Sequence, residues 1–354
     1  MNSKRSFKEP ISLIVVSLAL FFMPEVAPRE FWYSAFLVLF IPLIIIIQFL
    51  LLLFWAFKKN IFFLLPLFLL VLNWKYIKRT ITFSSPDDNK TELSILSYNV
   101  RVFNVYAQFA DPDFKSSRNI MDFLIKSNAD VLCLQEFYND PKDSIFNTIK
   151  KIKIKYKYCY YNVTYTNSVG ATFGMAIFSK YPIIFKDKVL FNQNSNNQIL
   201  YADIACPQAV IRVYNMHLQS MNINDQEISG SHFDKEYKNK MMQALLKYKN
   251  GTINRSKQVD KLIKNIQLSP HKVVVCGDLN DPPYSYTYEK LSDKLNNAFE
   301  EKGNGFGFSF NGKLPFLRID HQFCDPNLEV TYFKTRSDIT YTDHFPIKAG
   351  YRFH

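Results

Sequence analysis

The sequence predicts an α/β domain of two stacked β-sheets flanked by helices, preceded by an N-terminal membrane-spanning region. Two observations predict the domain. Short strand-like runs recur from residue 93 onward with few helical segments between them, a pattern that favours two packed sheets over a doubly wound single sheet. Several of these runs also end in Asp, Glu, Asn or His. The third observation concerns residues 1–80, where long aliphatic and aromatic runs predict membrane helices.

Three apolar segments make up the predicted membrane region. The strongest is 32–57, which is longer than the roughly 20 residues that a helix needs to cross the hydrocarbon core. The segment 61–77 ends in Trp74 and Tyr76, whose rings favour the membrane interface. The segment 10–26 is either a short span or the apolar part of a signal peptide. Because no small-residue cleavage site follows it, we expect a span.

The orientation in the membrane follows from the basic residues. With three spans and the N-terminus inside, five Lys or Arg residues, Lys4 and Arg5 among them, lie on the inner side and four on the outer side. If the first segment lies in the membrane interface and does not cross, the count of basic residues favours the opposite orientation, and the domain is then cytoplasmic. We expect a multi-pass protein of a bacterial cytoplasmic membrane with its domain on the outer side, and with the lipid bilayer rather than an obligate protein as its partner.

Charge and cysteine content argue against two other classes of protein. The net charge is +12, and residues 1–80 hold half of it, with nine Lys or Arg and three Glu. The rest of the chain is only mildly basic, which argues against a basic stripe for nucleic-acid binding. The five cysteines are odd in number, and none has a metal-binding CxxC spacing. We therefore expect no disulfide framework and no zinc site.

Residues 81–92 turn polar and turn-forming, and are predicted to link the membrane region to one soluble domain, residues 93–354. The most informative segment of this domain is KVVVCGDLNDPP, residues 272–283. Its apolar run predicts a short buried strand, and Asp278 and Asn280 follow on one side. A strand that ends in this way fixes polar groups over a reaction centre. An Asx turn after a strand explains an isolated GDxN about equally well.

The same arrangement recurs through the domain. Polar residues suited to chemistry stand at or near the ends of six strand-like runs: Asn99, Glu136, His217, Asp278 with Asn280, Asp320, and Asp343 with His344. Each one alone is explained as a strand-terminal turn residue. Together, and with no Ser or Cys nucleophile among them, they predict one shared site of carboxylates, amides and imidazoles.

These motifs, in the order SYNV, LQE, FGMAIFSKYPI, NMHL, GDLND, RID and TDH, cover about residues 93–353. In this order the chain resembles the endonuclease/exonuclease/phosphatase superfamily, which includes DNase I, abasic-site endonucleases, inositol-polyphosphate phosphatases and neutral sphingomyelinases. The resemblance implies a four-layered α/β sandwich with its site at one edge of two packed sheets. It also implies hydrolysis of a phosphoester with the help of Mg²⁺, or of Mn²⁺ in its place.

The resemblance assigns metal ligands to this sequence. It makes Glu136 the principal ligand, with Asn99 beside it and Asp343 completing the metal environment. Carboxylate oxygens suit a magnesium ion, which neutralises charge on the attacking and leaving oxygens.

The resemblance also assigns the catalytic groups. Asp278 would orient or deprotonate the attacking water, and Asn280 would hold a phosphate oxygen. His217 and His344 would donate to the phosphate and stabilise its developing charge. Asp320 would pair with His344, set its tautomer and keep it protonated.

Some positions depart from the family. The tyrosine that some nucleases carry is replaced by the sequence Ala171-Thr172-Phe173, and the inositol-phosphatase signature is absent from LPFLRIDHQF. His321 is interpreted as a core or supporting residue rather than a ligand. Arg255 is a candidate for substrate binding, with a surface helix as the alternative.

The substrate stays open. A membrane anchor raises the local concentration of lipid head groups, which favours a sphingomyelinase-like lipid phosphodiesterase. A nuclease acting on DNA or RNA at the membrane surface is the alternative, and the sequence does not separate diesters from monoesters. A module that kept the fold but only binds is a further hypothesis, disfavoured because the identified family positions are all present.

Overall fold

A computed structural model describes residues 8–107, 110–191, 197–221, 235–312 and 316–354. Lys4 and Arg5 of the predicted charge count lie outside these ranges. The helices are α1 (Lys8–Phe22), α2 (Tyr33–Leu37), α3 (Ile41–Phe57), α4 (Leu64–Leu72), α5 (Trp74–Thr80), α6 (Lys115–Lys126), α7 (Thr148–Lys153), α8 (Lys235–Gln267), α9 (Tyr286–Ser292) and α10 (Ala298–Lys302).

The N-terminal helices occupy the predicted positions but differ in length. α2 and α3 join through a short 3₁₀ segment into one helix, Tyr33–Phe57, of 25 residues. Within the described ranges this is the helix that is long and apolar enough to cross a membrane by itself. α1 has 15 residues. The predicted span 61–77 is instead bent by 69° between α4 and α5. Tyr76 of α5 packs against Phe21 and Ile41 of the apolar helices and against Tyr284 of the two-sheet domain.

Fourteen strands follow the same chain order within the described residues: β1 (Thr82–Phe83), β2 (Leu93–Asn99), β3 (Val131–Asn139), β4 (Tyr158–Thr166), β5 (Thr172–Ser179), β6 (Ile183–Val189), β7 (Gln198–Ala205), β8 (Val210–His217), β9 (Lys272–Asp278), β10 (Asn296–Asn297), β11 (Asn304–Gly305), β12 (Asp320–Cys324), β13 (Leu328–Thr335) and β14 (Ile347–Phe353). They form one six-stranded sheet of order β13-β14-β2-β3-β5-β4 and another of order β10-β12-β9-β8-β7-β6. Within them β2 pairs with β3 and β8 with β9 in parallel, while the other pairs are antiparallel.

The two sheets pack face to face because successive side chains of each strand point to opposite faces of its sheet, which gives each sheet an apolar face toward the other. In β2, Leu93 and Ile95 join the core between the sheets, together with Val274 and Cys276 of β9. The intervening residues face outward: Leu96 packs toward α6, and the matching residues of β9 pack toward α8 and α9. The result is four layers, helix, sheet, sheet and helix, which confirms the predicted sandwich.

α5 is docked on the domain through charged side chains. Arg79 is buried and pairs with the carboxylate of Glu289, and Lys75 Nζ lies 2.6 Å from the same carboxylate. The hydroxyls of Thr80 and Tyr284 lie 2.6 Å apart. The N-terminal helical region therefore contacts the domain through a specific polar interface.

The predicted linker, residues 81–92, lies along the domain. β1 pairs with β11 in a two-stranded sheet, and the backbone N–H of Asp87 donates to the carbonyl of Thr331 at 2.8 Å. Its polar, turn-rich composition is thus compatible with an ordered path between α5 and β2.

Candidate active site

Three polar side chains stand level with one another on neighbouring strands of the second sheet. The register pairs His217 of β8 with Asp278 of β9, and Asp278 with Asp320 of β12. The alternation that buries Val274 and Cys276 between the sheets puts Asp278 on the same face. The alternation of side chains along the strands is therefore enough to place His217, Asp278 and Asp320 between the two sheets.

Gly277 permits the close approach of β8 and β9 at this row. Its φ of +139° is rarely adopted by residues with a side chain, and a Cβ at this position would lie 2.0 Å from the carbonyl oxygen of Met216. A larger residue would push apart the strands that carry His217 and Asp278.

Glu136 reaches the site from the first sheet through an irregularity in β3. The pairing of β3 with β5 shifts register between Leu134 and Phe137, and Glu136 has a φ of +48°. Gln135 continues the inward-facing positions of the strand, so a regular strand would turn the next side chain away from the site. The bulge turns Glu136 back, and its Oε1 lies 3.2 Å from Asn99 Nδ2.

Asp278 is the centre of the site. Its Oδ2 lies 3.2 Å from Asn99 Nδ2, 3.6 Å from His217 Nε2 and 3.7 Å from His344 Nε2. Its Oδ1 accepts the backbone N–H of Asn280 at 2.8 Å. The side chain is 2% exposed, and groups from both sheets hold this carboxylate in place.

His344 is oriented by Asp320. Its Nδ1 lies 2.9 Å from Asp320 Oδ2, and its Nε2 faces Asp278. Burial by itself lowers the pKa of His344, but the carboxylates of Asp320 and Asp278 outweigh burial and raise that pKa to about 10. The imidazole is therefore a cation at neutral pH, with one N–H directed at Asp320 and the other toward the site.

The remaining predicted residues lie at different distances from this centre. Asn280 has a φ of +53° and donates through Nδ2 to the carbonyl of Leu218 at 3.1 Å. Asp343 lies at the rim, its Oδ2 3.6 Å from Arg101 Nε. Asn99 presents its amide nitrogen, rather than its oxygen, to Glu136.

Arg255, predicted to touch substrate, is fully buried. Its Nη2 lies 2.7 Å from Asp281 Oδ1, and its Nη1 donates to the carbonyl of Gln219 at 2.8 Å. The structure thus places Arg255 under the loops that frame the site. His321 is also buried, and its ring contacts that of Tyr288 edge to face, in keeping with the supporting role predicted for it.

A cavity of about 290 Å³ opens beside the site. Glu136, His217, Val102, Gln219 and Ser220 are among its lining residues. Val102 belongs to a run of four residues, 101–104, that all have φ between 45° and 54°. Such a left-handed turn costs about 1–2 kcal/mol per residue, and strain of this kind concentrates at functional sites.

Three polar side chains that are not among the predicted site residues, Gln135, Asn215 and Thr342, join the two sheets behind the site. Gln135 Nε2 donates to Asn215 Oδ1 at 2.6 Å, and Asn215 Nδ2 donates to the carbonyls of Leu134 and Ala176. Thr342 Oγ1 lies 3.2 Å from the carbonyl oxygen of Asn99 and accepts the N–H of His344. Gln135 and Asn215 each occupy the next inward-facing position after apolar residues of their strand. A polar residue at such a position is the sequence feature that could have predicted them.

The chain was compared with protein-family models and with known proteins. Residues 96–344 match the model of the Endonuclease/Exonuclease/phosphatase family. Residues 10–80 match a second model, Domain of unknown function (DUF8431). The comparison with curated proteins gives no match.

Solved structures share the fold. An endonuclease/exonuclease/phosphatase from Beutenbergia cavernae is 15% identical with a TM-score of 0.52, and the match covers 74% of this chain and 72% of that one. A family protein from Bacteroides thetaiotaomicron is 16% identical with a TM-score of 0.51, covering 77% and 97%. A mannosyl-6-phosphatase from the same organism is 16% identical with a TM-score of 0.50, covering 74% and 100%. The family model spans most of the chain, and we conclude that the chain belongs to the endonuclease/exonuclease/phosphatase family.

Proposed function

We propose that this protein is a membrane-anchored, Mg²⁺-dependent phosphoesterase that hydrolyses its substrate by attack of water. One observation carries the proposal: Asp278 is surrounded by Asn99, His217 and His344 at the edge where the two sheets meet, with Glu136 beside Asn99. This combination of acid, amide and imidazole groups suits transfer of a phosphoryl group to water.

The donor set fits a hard divalent cation. Asp278 and Asp320 bring two carboxylates together, and Glu136 lies beside Asp278 through their shared neighbours Asn99 and His217. His344 is the imidazole cation that its pKa of about 10 implies. The carboxylate oxygen atoms are the ligands that Mg²⁺ and Mn²⁺ prefer. Glu136 is the partly exposed member, with 38% of its side chain accessible, and it would hold the ion while Asn99 donates an amide N–H to its carboxylate. When bound, Mg²⁺ would neutralise charge on the phosphate oxygens.

The residues around Asp278 have separable tasks in this proposal. Asp278 accepts a proton from the attacking water or orients it. The His344 cation donates through Nε2 to a phosphate oxygen, and Asp320 fixes the ring. His217, 3.8 Å from Glu136 Oε1, donates to the phosphate from the other side, and Asn280 holds a further oxygen.

The membrane anchor is supported by an inverted distribution of polarity in the N-terminal helices. Large apolar side chains are exposed there, with Phe57 at 85% and Phe68 at 62%. Polar groups are buried instead: Gln48 Nε2 donates to Ser17 Oγ at 2.9 Å. Helices that pack in lipid direct polar groups toward one another and apolar groups outward. The helix Tyr33–Phe57 would supply the span, and the helices beside it would complete the multi-pass region expected from the sequence.

The test is a substrate panel with the full-length chain in lipid nanodiscs. It includes bis-p-nitrophenyl phosphate, sphingomyelin, inositol phosphates, sugar phosphates and plasmid DNA, each with and without Mg²⁺. Metal-dependent hydrolysis of at least one phosphoester, lost in Asp278→Asn, is expected. Binding without turnover across the panel would favour the non-catalytic module, and cleavage of DNA alone would favour the nuclease.

A further inference from the structure

The N-terminal half of α8 exposes a row of apolar side chains. Met241, Met242, Leu245 and Leu246 are 43%, 57%, 37% and 49% exposed. Their spacing places them on one face of the helix. Residues 237–250 also contain four lysines and neither Asp nor Glu. A basic helix with one apolar face is typical of segments that lie in the interface of a lipid bilayer.

This half of α8 meets the start of the helix proposed to cross the membrane. The hydroxyl of Tyr248 donates to the carbonyl of Ala35 at 2.5 Å. Lys249 Nζ lies 5.4 Å from the centre of the Trp32 ring. Trp32 and Tyr33 stand at the start of the apolar segment 32–57, and such aromatic rings favour the level of the lipid head groups. The apolar face of α8 is therefore continuous with the membrane end of the anchor.

The C-terminal half of the same helix holds the pocket wall. Arg255 donates to the carbonyl of Gln219, and Gln258 Oε1 accepts the N–H of Gln219 at 2.9 Å. Gln219 and Ser220 line the cavity beside Glu136 and His217. One helix, α8, thus joins the apolar row to the site.

We propose that residues 237–250 of α8 form a second membrane-binding element that lies in the bilayer interface and presents the pocket to phosphoesters carried on lipid head groups. The inference rests on the proposed function for its substrate, but not for the membrane contact. The step from Leu246 to Arg255 is nine residues, or about 14 Å along a helix. That distance is about two head-group layers, since each is about 5–8 Å thick, so the pocket wall stays close to the surface that the apolar row would occupy.

A bilayer suits this surface better than a second copy of the chain does. The segment has four lysines and neither Asp nor Glu, so two copies would repel each other, whereas each lysine near anionic lipid adds about 1 kcal/mol of attraction. Lysine stems also extend along an apolar surface while their charges stay in water.

The depth of the segment is measured first. Leu246→Cys and Leu268→Cys are labelled with a polarity-sensitive fluorophore in full-length Cys159→Ser, because Cys159 is the one described cysteine that is not buried. Leu268 is the matched control, since it is 80% exposed at the other end of the helix. In vesicles of phosphatidylcholine and phosphatidylglycerol, the label at 246 is expected about 5–10 Å deep, shifted to the blue and quenched by nitroxide lipids. The label at 268 is expected to stay in water.

Two results would overturn the membrane contact. One is a label at 246 that reads as fully aqueous in vesicles. The other is a label that, in detergent solution, becomes more protected from water as the protein concentration rises. That result would assign the apolar face to contact with a second copy of the chain. Neither result depends on enzymatic activity, so a failure of the proposed phosphoesterase function would be recognised separately.

The substrate is tested with Leu246→Glu against Leu268→Glu. Hydrolysis of phospholipid or sphingomyelin in vesicles is expected to fall about 10-fold or more in Leu246→Glu, because the pocket loses its position at the surface. Both variants should hydrolyse dissolved bis-p-nitrophenyl phosphate like the parent chain. Equal rates on vesicle lipid for the two variants, or no vesicle hydrolysis by a parent chain that cleaves the dissolved diester, would reject the lipid substrate.

Discussion

His344 Nδ1 lies 2.9 Å from Asp320 Oδ2, and both side chains are buried where the two sheets meet. Asp320 belongs to β12, whereas His344 lies in the segment that precedes β14 of the other sheet. The contact therefore joins the two sheets at the site and sets the direction of the second imidazole nitrogen toward Asp278.

The first prediction concerns this pair. Asp320→Asn should lower kcat by about 10²-fold or more while leaving KM nearly unchanged, because a mis-set imidazole loses its contact with the transition state more than with the ground state. The double variant Asp320→Asn/His344→Ala should be little worse than His344→Ala alone. The measurement is kcat/KM for the four chains on the substrate that the panel identifies. Additive losses would show that the two residues act separately.

The second prediction concerns the centre of the site. Asp278→Asn keeps the shape of the side chain but removes its charge and proton affinity, so kcat should fall about 10²–10⁴-fold if Asp278 is the general base. The structural control is thermal unfolding, which should stay close to that of the parent chain. A near-normal kcat in this variant would show that another group acts as the general base.

The third prediction concerns the metal. Excess EDTA should abolish hydrolysis, and Mg²⁺ or Mn²⁺ should restore it. Loss of a residue that only supports a metal ligand typically weakens metal binding ~10–100-fold. Because Glu136 is the ligand itself in this proposal, Glu136→Gln should raise the metal concentration needed for half-maximal rate by more than that. The measurement is a metal titration of the initial rate. Full activity in EDTA would contradict metal dependence.

The fourth prediction concerns the contact between α5 and the domain. Arg79 and Glu289 have side chains that are 4% and 3% exposed. Glu289→Gln removes the nearer counter-charge of the buried Arg79 and leaves the more distant carboxylate of Glu300, 3.5 Å from Arg79 Nε. The change should therefore cost about 3 kcal/mol, the low end for breaking a buried ion pair, and lower Tm. Lys334 and Asp88, 2.9 Å apart and about half exposed, form the control pair, where Asp88→Asn should cost at most about 1 kcal/mol. Equal Tm values for both variants would mean that the docking contact adds little.

The fifth prediction concerns membrane orientation. With three spans and the N-terminus inside, a C-terminal alkaline phosphatase fusion should be active and a green fluorescent protein fusion dark, since five basic residues then lie inside against four outside. Because a difference of five basic residues against four is small, both fusions are needed to decide the orientation. The opposite pair of results would place the domain in the cytoplasm.

Much of the site could be predicted because strand periodicity is local. In β9 the spacing of two residues puts Val274 and Cys276 in the core and Asp278 beyond them on the same face. The order of the motifs gave the remaining members. The helix Tyr33–Phe57 was equally predictable, since length and composition alone decide whether a segment is apolar enough to span a bilayer.

Other features depend on contacts between distant parts of the chain. The sequence by itself determined which residues end the strands and where the apolar helix lies, because these are properties of short segments. Only the tertiary structure decided that a bulge turns Glu136 into the site, that Arg255 is buried against Asp281, and that Arg79 docks α5 on Glu289. A side chain's direction at a bulge, and the partner of a buried charge, are selected by the free energy of long-range packing, which no local pattern specifies.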